Sequence, residues 1–567
     1  MNQPTPIPKT TSRRWLSRGG FLAVLPAIAS AALAQAEPAS SAASPAADND
    51  VVTLSPFTVS TDKDVGYRAS NSIAGTRTNT PIKDIPVNIQ VFTKDLADDL
   101  LIKNQVDFEA YNGALVYGGA DRFSDNAIQQ PYQDFLFRGF RQNWGLRDGV
   151  REYDPIDTQA FARVEVVKGP VAALYGLAYP GGVMNNITKI VDFSKNFGSL
   201  RFTLGGEGDY RSTLDVNVAG VAFGQKIGIR VNGADEKTKD VRSHSEGKVD
   251  FENVVIAWEP FKTTLIEVTA EHGYREKPNG LQYFSIGTPA SEAGSHADVP
   301  LQIAKPNIPW DWNWSNGKDM RSLETHLYRA KITQQIGDSF TVNGYVQYSK
   351  RLNIDGNGWD ANGSGGADSW ESQGSGLDLA NNRIISTYHY RDWGNNMHAY
   401  GATGVYKLEV GGVKNTFAFG SNVWGEKEQA RASGPYNPAD TSSTGYVNAA
   451  LLTAVYYPIT ANIDTTKVPT NPPSNVAPES AGGPNGNGYH SENNSNDYYF
   501  ANWQASWFGD RLKTNVGVNK TNIKLVTWNS GGSPTPDNVF TASKWSPLFG
   551  GVFEITKEAS VFLTHGT

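Results

Sequence analysis

A glycine-rich stretch near the middle of the chain carries side chains at the spacing of a metal-binding loop. Oxygen-bearing residues occupy positions 1, 3, 5, 9 and 12 of a twelve-residue segment with glycine at position 6, namely Asp360, Asn362, Ser364, Asp368 and Glu371. Apart from serine at position 5, this is the spacing of an EF-hand calcium loop. The pattern predicts a Ca²⁺ site, although no flanking helices are expected. The alternative is an ordinary loop, because loops rich in Asp, Asn and Gly produce such matches by accident.

Other reactive side chains do not form a recognisable catalytic pattern. The eight histidines are scattered, and none stands at a spacing typical of a metal-ligand pair. The sequence contains no nucleophile elbow, phosphate-binding loop or dinucleotide fingerprint. The absence of cysteine excludes disulfides, thiolate metal sites and iron–sulfur clusters. We therefore predict that the protein is not an enzyme and has no cofactor other than calcium at the predicted loop.

The composition indicates a large β-rich chain with more than one domain. Of the 567 residues, 57 are glycine, 14 tryptophan, 24 tyrosine and 25 phenylalanine, while 39% are hydrophobic and 19% charged. Soluble globular proteins average about 45–50% and about 25% for these two classes. A net charge of −7 argues against a nucleic-acid partner. The negative mean hydropathy and a single long apolar stretch exclude a polytopic helical membrane protein.

The N-terminus resembles an export signal. Arg13, Arg14 and Arg18 precede an apolar run at 21–33 and small residues that suit cleavage, so residues 1–36 are predicted to be a signal peptide. The general secretory route fits better than the twin-arginine route. Residues 37–64 form a polar linker, in which a short extended apolar segment at 50–56 could pair with a partner's sheet edge or form the first strand of the next domain.

The region 65–194 is predicted to be a small α+β domain. Alternating or helical spacing predicts a strand at 86–91, a helix at 93–104 with Thr93 as N-cap, strands at 135–140 and 163–170, a short helix at 170–175 ended by Gly176, and a strand at 183–189.

The segment from Arg163 to Lys189 reads RVEVVKGPVAALYGLAYPGGVMNNITK. It closely resembles the signature of the plug domain of TonB-dependent outer-membrane receptors, and Pro180 before the two glycines is similar to the ferric-siderophore branch. Phe137 to Phe140 resembles the R-G-F strand of that family. We call residues 65–194 the plug.

This resemblance implies several functional residues. The TonB box, which would pair with the periplasmic protein TonB and its inner-membrane energising complex, corresponds to Asp50, Val51, Val52, Thr53, Leu54, Ser55 and Pro56. The plug apex, which contacts substrate in the family, corresponds to stretches carrying Arg122, Phe123, Tyr132, Arg141, Trp144 and Arg147. Aromatic faces and guanidinium groups suit a ferric chelate, although each side chain could equally pack plug against barrel. Arg138 and Arg163 are predicted to form plug–barrel ion pairs.

Residues 195–567 have the alternating pattern of a transmembrane β-barrel, and the resemblance implies that this barrel lies in the outer-membrane lipid of a Gram-negative bacterium. About 13 strands are predicted, and short breaks at 222–225, 259–263, 337–338, 409–414, 508–510 and 557–559 alternate with long connections. The resemblance implies about 22 strands when the barrel is complete. The sequence is therefore expected to be C-terminally truncated, either as a fragment of a longer protein or as a degenerate gene product.

The leading functional hypothesis is TonB-dependent import of a ferric siderophore by energy-coupled plug movement. The segment PWDWNW at 309–314 also offers three tryptophans for stacking on sugar rings or aromatic chelators, unless it belongs to an interfacial aromatic girdle. This motivates uptake of an oligosaccharide or another nutrient as an alternative. An alternative of another class is a non-transporting surface binding protein or a truncated inactive fragment.

Overall fold

The structure is a computed structural model that describes most of the plug and of the following strands. The described residues are 56–57, 64, 66–104, 106–117, 135–142, 144–153, 156–169, 172–176, 180–239, 241–278, 311, 320–360, 377–378, 383–433, 455–458, 489–528, 535–557 and 559–566. They all belong to one compact unit, Leu54–Thr567. None of the described helices combines the length and the apolar character needed to span a bilayer.

Several predicted sites lie outside the described residues. These are the TonB-box residues Asp50 to Ser55, the apical residues Arg122, Phe123 and Tyr132, the tryptophans of the 309–314 segment, and the calcium-loop positions Asn362, Ser364, Asp368 and Glu371. For Asp360 only the backbone is described, as the last residue of a strand. The calcium site therefore stays a prediction.

The described part of the plug consists of short strands and helical turns. The strands are β1 (Asn71–Ser72), β2 (Thr80–Pro81), β3 (Asn88–Thr93), β4 (Leu115–Tyr117), β5 (Phe135–Phe137), β6 (Phe140–Gln142), β7 (Gly145–Arg147), β8 (Val150–Glu152), β9 (Phe161–Lys168) and β10 (Gly182–Thr188). The α-helices are Lys94–Asp99 and Ala172–Tyr175, and the 3₁₀ turns are Ile82–Asp84, Val106–Tyr111 and Thr158–Ala160.

A five-stranded sheet in the order β3-β9-β10-β7-β8 organises the plug. The strands are antiparallel except for the parallel pair of β10 with β7. The signature residues form its centre, because β9 and β10 are buried along almost their whole length. A strand buried on both faces needs a nearly continuous apolar run, which Val164, Val166 and Val167 supply in β9.

Local turn chemistry explains where the plug elements differ from the sequence prediction. The helix predicted at 93–104 begins as expected, with the Thr93 hydroxyl accepting from the Leu96 amide at 3.3 Å. It ends early, since Leu101 takes a left-handed backbone with φ 54°. The single strand predicted at 135–140 is wrong. It is a hairpin of β5 and β6 that turns at Arg138 and Gly139, with φ of 51° and 84°.

The remaining strands form one large antiparallel sheet, which we call the large sheet. They are β11 (Phe197–Leu204), β12 (Tyr210–Ala222), β13 (Gln225–Thr238), β14 (Gly247–Phe261), β15 (Thr264–Pro278), β16 (Met320–Ile336), β17 (Phe340–Asp360), β18 (Leu377–Asp378), β19 (Arg383–Val410), β20 (Val413–Ser433), β21 (Val455–Pro458), β22 (Tyr489–Trp507), β23 (Leu512–Trp528), β24 (Asn538–Glu554) and β25 (Ser560–Gly566). Thirteen of them pair in chain order, while β18 and β21 pair only with β19.

The thirteen-strand path confirms the predicted strand number, and each short connection falls where the sequence places it. The hairpins reach further than predicted. The pairing of β17 with β19 continues to Asp360 opposite Thr387, inside the long connection predicted between the short breaks at 337–338 and 409–414. Ladder hydrogen bonds join backbone groups whatever the side chains are, so a strand can extend beyond its alternating apolar segment.

Candidate functional site: the contact between the plug and the large sheet

Alternate residues of the large sheet turn toward the plug, and many of these are buried polar or charged residues. Among the described residues, seven ion pairs join the plug to the sheet: Lys103–Glu236 (2.6 Å), Arg147–Glu271 (2.5 Å), Lys189–Asp215 (2.8 Å), Arg211–Asp157 (2.8 Å), Arg201–Asp98 (3.3 Å), Lys513–Asp84 (3.9 Å) and Arg329–Asp148. The cations come from both sides. A barrel interior of this kind is polar, in contrast to the apolar core of a soluble domain.

Arg147, at the end of β7, forms the most completely buried of these pairs. Its side chain is 1% exposed, and Nη1 and Nη2 donate to the two carboxylate oxygens of Glu271 at 3.0 and 2.5 Å. Nη1 also donates to Glu152 of the plug at 3.1 Å. Burial raises the pKa of Glu152 to about 6, although Arg147 opposes this rise. The guanidinium therefore holds one carboxylate of the sheet and one of the plug.

The neighbouring residue Asp148 forms the reverse pair, in which the sheet supplies the cation. Its carboxylate accepts from Arg329 and from the amide and hydroxyl of Thr188 at 3.0 and 2.6 Å. Burial alone would raise the pKa of Asp148, but Arg329 and Lys331 bring it below its usual value. Arg329 also donates to Gln347 at 2.6 Å, which fixes the guanidinium against the sheet.

Lys189, the last residue of the signature segment, carries a third buried charge. Its Nζ lies 2.8 Å from Asp215 and 3.1 Å from the side-chain oxygen of Asn232. Burial lowers the pKa of Lys189 to about 8, while Asp215 acts in the opposite direction. The positive charge is thus maintained at neutral pH by a partner on the sheet.

A contact with less charge surrounds Gly176 at the end of the helix Ala172–Tyr175. Gly176 has φ +72°, and a Cβ at this position would lie 2.5 Å from the Tyr498 ring. Arg77 donates to the Tyr498 hydroxyl at 2.5 Å, and its guanidinium lies 4.1 Å from the centroid of the Phe500 ring. Glycine here satisfies both the helix end and the close approach of β22.

At the N-terminal side, the chain is tied to the plug by a set of contacts that we call the N-terminal anchor. The Pro56 carbonyl accepts from the Asn79 amide at 2.8 Å, and Asp64 pairs with Arg163 at 3.2 Å. Arg163 also pairs with Glu165. One Glu165 oxygen accepts from the Ser72 hydroxyl at 2.7 Å and from the Ala74 amide at 2.9 Å. The inner strand β9, which carries Arg163 and Glu165, therefore receives most of these contacts.

The structure corrects the role predicted for several plug residues. Arg163 forms its described ion pairs with Asp64 and Glu165, so it belongs to the N-terminal anchor and is not a plug–barrel ion pair. Arg138 is exposed in the β5–β6 turn and has no described ion pair with the sheet. Arg147 takes the plug–sheet role instead. Its Nη groups donate to Glu271 and Glu152, and its Nε, which has no hydrogen-bond partner among the described residues, is buried, so none of its donors is exposed for an apical substrate contact.

Trp144 is buried as well, with its ring 4.7 Å from the Arg151 guanidinium. Arg141 lies in β6, where only its backbone is described. The substrate-binding role of the apical residues therefore stays a prediction. Sequence reasoning missed Glu271 and Arg329, because their plug partners are 124 and 181 residues away along the chain. Their position on the plug-facing side of an alternating strand was the available signal.

A second polar group was also missed, on the opposite side of the large sheet. His272 in β15 meets Glu324 and His326 in β16, and their ligand atoms lie within 4.8 Å of one another. The sequence shows only Glu324 and His326 two residues apart, which places them on one face of a strand. The third member could be found only from the pairing register.

Comparison with known proteins agrees with this architecture. Residues 81–183 match the family described as TonB-dependent Receptor Plug Domain. The metal-pseudopaline receptor CntO of Pseudomonas aeruginosa is 31% identical over 210 residues, which cover 36% of this chain and 28% of that protein. The probable TonB-dependent siderophore receptor PiuA of Acinetobacter baumannii is 24% identical over 387 residues, covering 65% of this chain and 46% of that protein.

The crystal structure of the siderophore receptor PiuA from Acinetobacter baumannii superposes with a TM-score of 0.66 at 15% identity, covering 88% of this chain and 67% of that chain. Likeness at this identity shows the fold, a plug with the antiparallel strands of a membrane β-barrel. The chain spans less than half the length of the two curated relatives described above.

Proposed function

We propose that the chain is a TonB-dependent receptor of the Gram-negative outer membrane, and that it imports a ferric siderophore by energy-coupled movement of the plug. Its support is the plug match at residues 81–183 and the fold it shares with the siderophore receptor PiuA. The proposal has three parts: a plug that can move, a means of pulling it, and a chelate as cargo. Each part has its own support.

The polar contact between plug and large sheet is the observation that carries the proposal. Separating the two halves of an apolar core costs about 25 cal/mol of free energy for each Å² of apolar surface that becomes exposed to water. Charged groups behave differently, because water entering the gap can solvate each partner and replace much of the lost attraction. Ion pairs such as Arg147–Glu271 and Lys189–Asp215 therefore hold the plug in place while water is excluded from the contact. They release it when water enters.

The N-terminal anchor supports the second part. In the proposal TonB pairs with the segment Asp50–Pro56, and the carbonyl of its last residue accepts from Asn79 in the plug. Asp64, a few residues further on, pairs with Arg163 in the inner strand β9. Tension on the segment would thus reach the plug sheet through the Pro56–Asn79 hydrogen bond and the Asp64–Arg163 ion pair.

The cargo is inferred from relatives. PiuA is named as a probable siderophore receptor and CntO as a metal-pseudopaline receptor, and we extend the shared property, recognition of a metal chelate, to this chain. A ferric siderophore is the first candidate. A chelate of another transition metal is the second, favoured by the 31% identity to CntO.

The decisive experiment measures uptake and surface binding separately in cells that produce the receptor. Deleting residues 50–56 should abolish uptake of a radiolabelled ferric chelate while surface binding persists. Deleting residues 40–46, a segment of the same length in the linker, should leave both unchanged. Uptake that survives the 50–56 deletion would refute energy coupling through this segment.

The cargo is tested with the same cells. They are offered ferric hydroxamate and ferric catecholate chelates, zinc and nickel complexes of aminocarboxylate chelators, and labelled oligosaccharides. Uptake of a ferric chelate supports the proposal, and uptake of another metal chelate alone would replace iron by that metal. Saturable uptake of an oligosaccharide without any metal chelate would overturn the cargo assignment.

A further inference from the structure

Two histidines and one glutamate meet on adjacent strands of the large sheet. In the register of β15 with β16, His272 lies directly opposite His326, and the two ring centroids are 4.9 Å apart. Glu324 precedes His326 by two residues, so its side chain lies on the same face. Its Oε1 is 3.4 Å from Nε2 of His272 and 3.3 Å from Nε2 of His326. We call these residues the His–Glu–His cluster.

The cluster lies on the face of the sheet turned away from the plug. Val268 and Tyr328, which have the same strand parity as the cluster, are 46% and 53% exposed. Glu271 and Arg329, of the opposite parity, are buried against the plug. The cluster is therefore separate from the plug–sheet contact and from the interior of the barrel.

Two of the three separations match those of a tetrahedral metal site, and all three lie within 4.8 Å. Zinc binds imidazole nitrogen at about 2.0–2.1 Å and carboxylate oxygen at about 2.0–2.2 Å, so neighbouring ligand atoms of a tetrahedron lie about 3.3–3.5 Å apart. Both measured separations, 3.4 and 3.3 Å, lie in this range. Two histidines and one carboxylate complete three positions and leave the fourth open to water or to another ligand.

The neighbouring outward-facing side chains place the cluster at the edge of the apolar band of the large sheet. Its own row continues with Glu252 opposite His272 and Lys350 opposite His326, both exposed and charged. The next outward-facing row toward the short turns contains Tyr328 opposite Tyr348. Aromatic rows of this kind border the apolar band of a membrane barrel. The cluster therefore lies just beyond the apolar band, on the side of the long connections, where water reaches it.

We propose that His272, Glu324 and His326 form a binding site for a divalent transition metal ion, with zinc as the preferred ion, on the outward face of the large sheet. Glu252, opposite His272, offsets the positive charge of Lys350, opposite His326, so Glu324 supplies the negative charge that favours a cation. The site does not depend on import, because it faces away from the plug.

Zinc binding to the purified full chain in detergent, with any affinity tag removed, tests the proposal. Competition with a chromogenic chelator should reveal one tightly bound Zn²⁺ per chain. His272→Gln and His326→Gln should each weaken this binding by at least about tenfold. His398→Gln is the matched control, since His398 is an exposed histidine of β19 on the same outward face of the large sheet. This variant should bind zinc as the unaltered chain does.

Cobalt provides a second readout that a non-specific surface site would not give. Co²⁺ bound by the unaltered chain should show the intense visible absorption of tetrahedral coordination, and Glu324→Gln should remove it. Circular dichroism checks that each variant keeps its β structure. If zinc binding is absent, or is as strong in both histidine variants as in the His398→Gln control, the proposal is overturned.

Discussion

Replacing Arg147 by methionine should loosen the plug more than any exposed plug–sheet substitution. Methionine keeps much of the volume of the side chain but removes the only cation described between Glu271 and Glu152. Two carboxylates then face each other in a buried position. The effect should be local, since β10 pairs with β7 at Asn185 opposite Leu146 and at Asn186 opposite Arg147.

The size of the effect follows from the burial of the pair. Removing one partner of a buried ion pair destabilises by about 3–5 kcal/mol, because it leaves an uncompensated charge. Since each factor of ten corresponds to about 1.4 kcal/mol, local opening should become about a hundredfold to a few thousandfold more frequent. In Arg147→Met/Glu271→Gln one of the two charges is also removed, so this double variant should recover at least half of the lost protection.

Hydrogen–deuterium exchange in detergent measures local opening directly, and the amides of Asn185 and Asn186 report it without a change in their own sequence. Arg201→Met is the matched control. It breaks the Arg201–Asp98 pair, whose arginine side chain is 51% exposed, and exposed pairs contribute about 0–1 kcal/mol. If the two single variants differ by less than about threefold in exchange at β10, burial does not govern these pairs and the reasoning fails.

Three further predictions concern pH, backbone geometry and the N-terminal anchor. Because the pKa of Glu152 rises from 4.5 to about 6 on folding, its stabilising contribution is complete below pH 4.5 and is lost as pH rises through 6. The plug should therefore gain about 2 kcal/mol of protection between pH 7.5 and 4.5 relative to Glu152→Gln, measured as exchange corrected for intrinsic pH dependence, and equal pH profiles would contradict this. Gly176→Ala should lower protection of the plug more than Gly66→Ala, since both positions have positive φ but only Gly176 faces a ring within 4 Å. Gly66→Ala should lose only about 1–2 kcal/mol of stability, which is the cost of a left-handed backbone for a residue with a Cβ atom. Equal losses of protection in the two variants would exclude the ring contact as a cause. Asp64→Ala removes the contact with Arg163 from the N-terminal anchor and, given the proposed coupling, should tighten binding of a purified TonB C-terminal fragment about threefold to tenfold by fluorescence anisotropy; unchanged or weaker binding would contradict it.

The backbone architecture could be predicted well because its signals are local. Alternation along single strands located all thirteen members of the main path. Thr93 and Gly176 could be assigned to the ends of helices because threonine is a preferred N-cap residue and glycine commonly ends a helix. The β5–β6 hairpin was missed, since Arg138 occupies a left-handed turn position that glycine or asparagine normally takes.

The plug–sheet contact could not be predicted in the same way. Arg147 and Arg163 look alike in the sequence, as arginines at the edges of short strands. Their roles differ because Arg147 faces Glu271 of the large sheet, whereas Arg163 faces Asp64 and Glu165 in the N-terminal anchor. Such assignments depend on register and on which strands are brought together, and the His–Glu–His cluster was missed for the same reason.

The order of attachments in the N-terminal anchor determines how the plug would bear a mechanical load. From the N-terminal side, a pulled chain meets the single Pro56–Asn79 hydrogen bond and then the Asp64–Arg163 pair. Next comes the two-residue ladder of β1 with β2, which can unzip one pair at a time. Glu165 holds the chain both at Ser72, the last residue of this ladder, and at Ala74 just after it, so these bonds must break in parallel. Resistance to force would therefore rise abruptly at Glu165, after a compliant first stage.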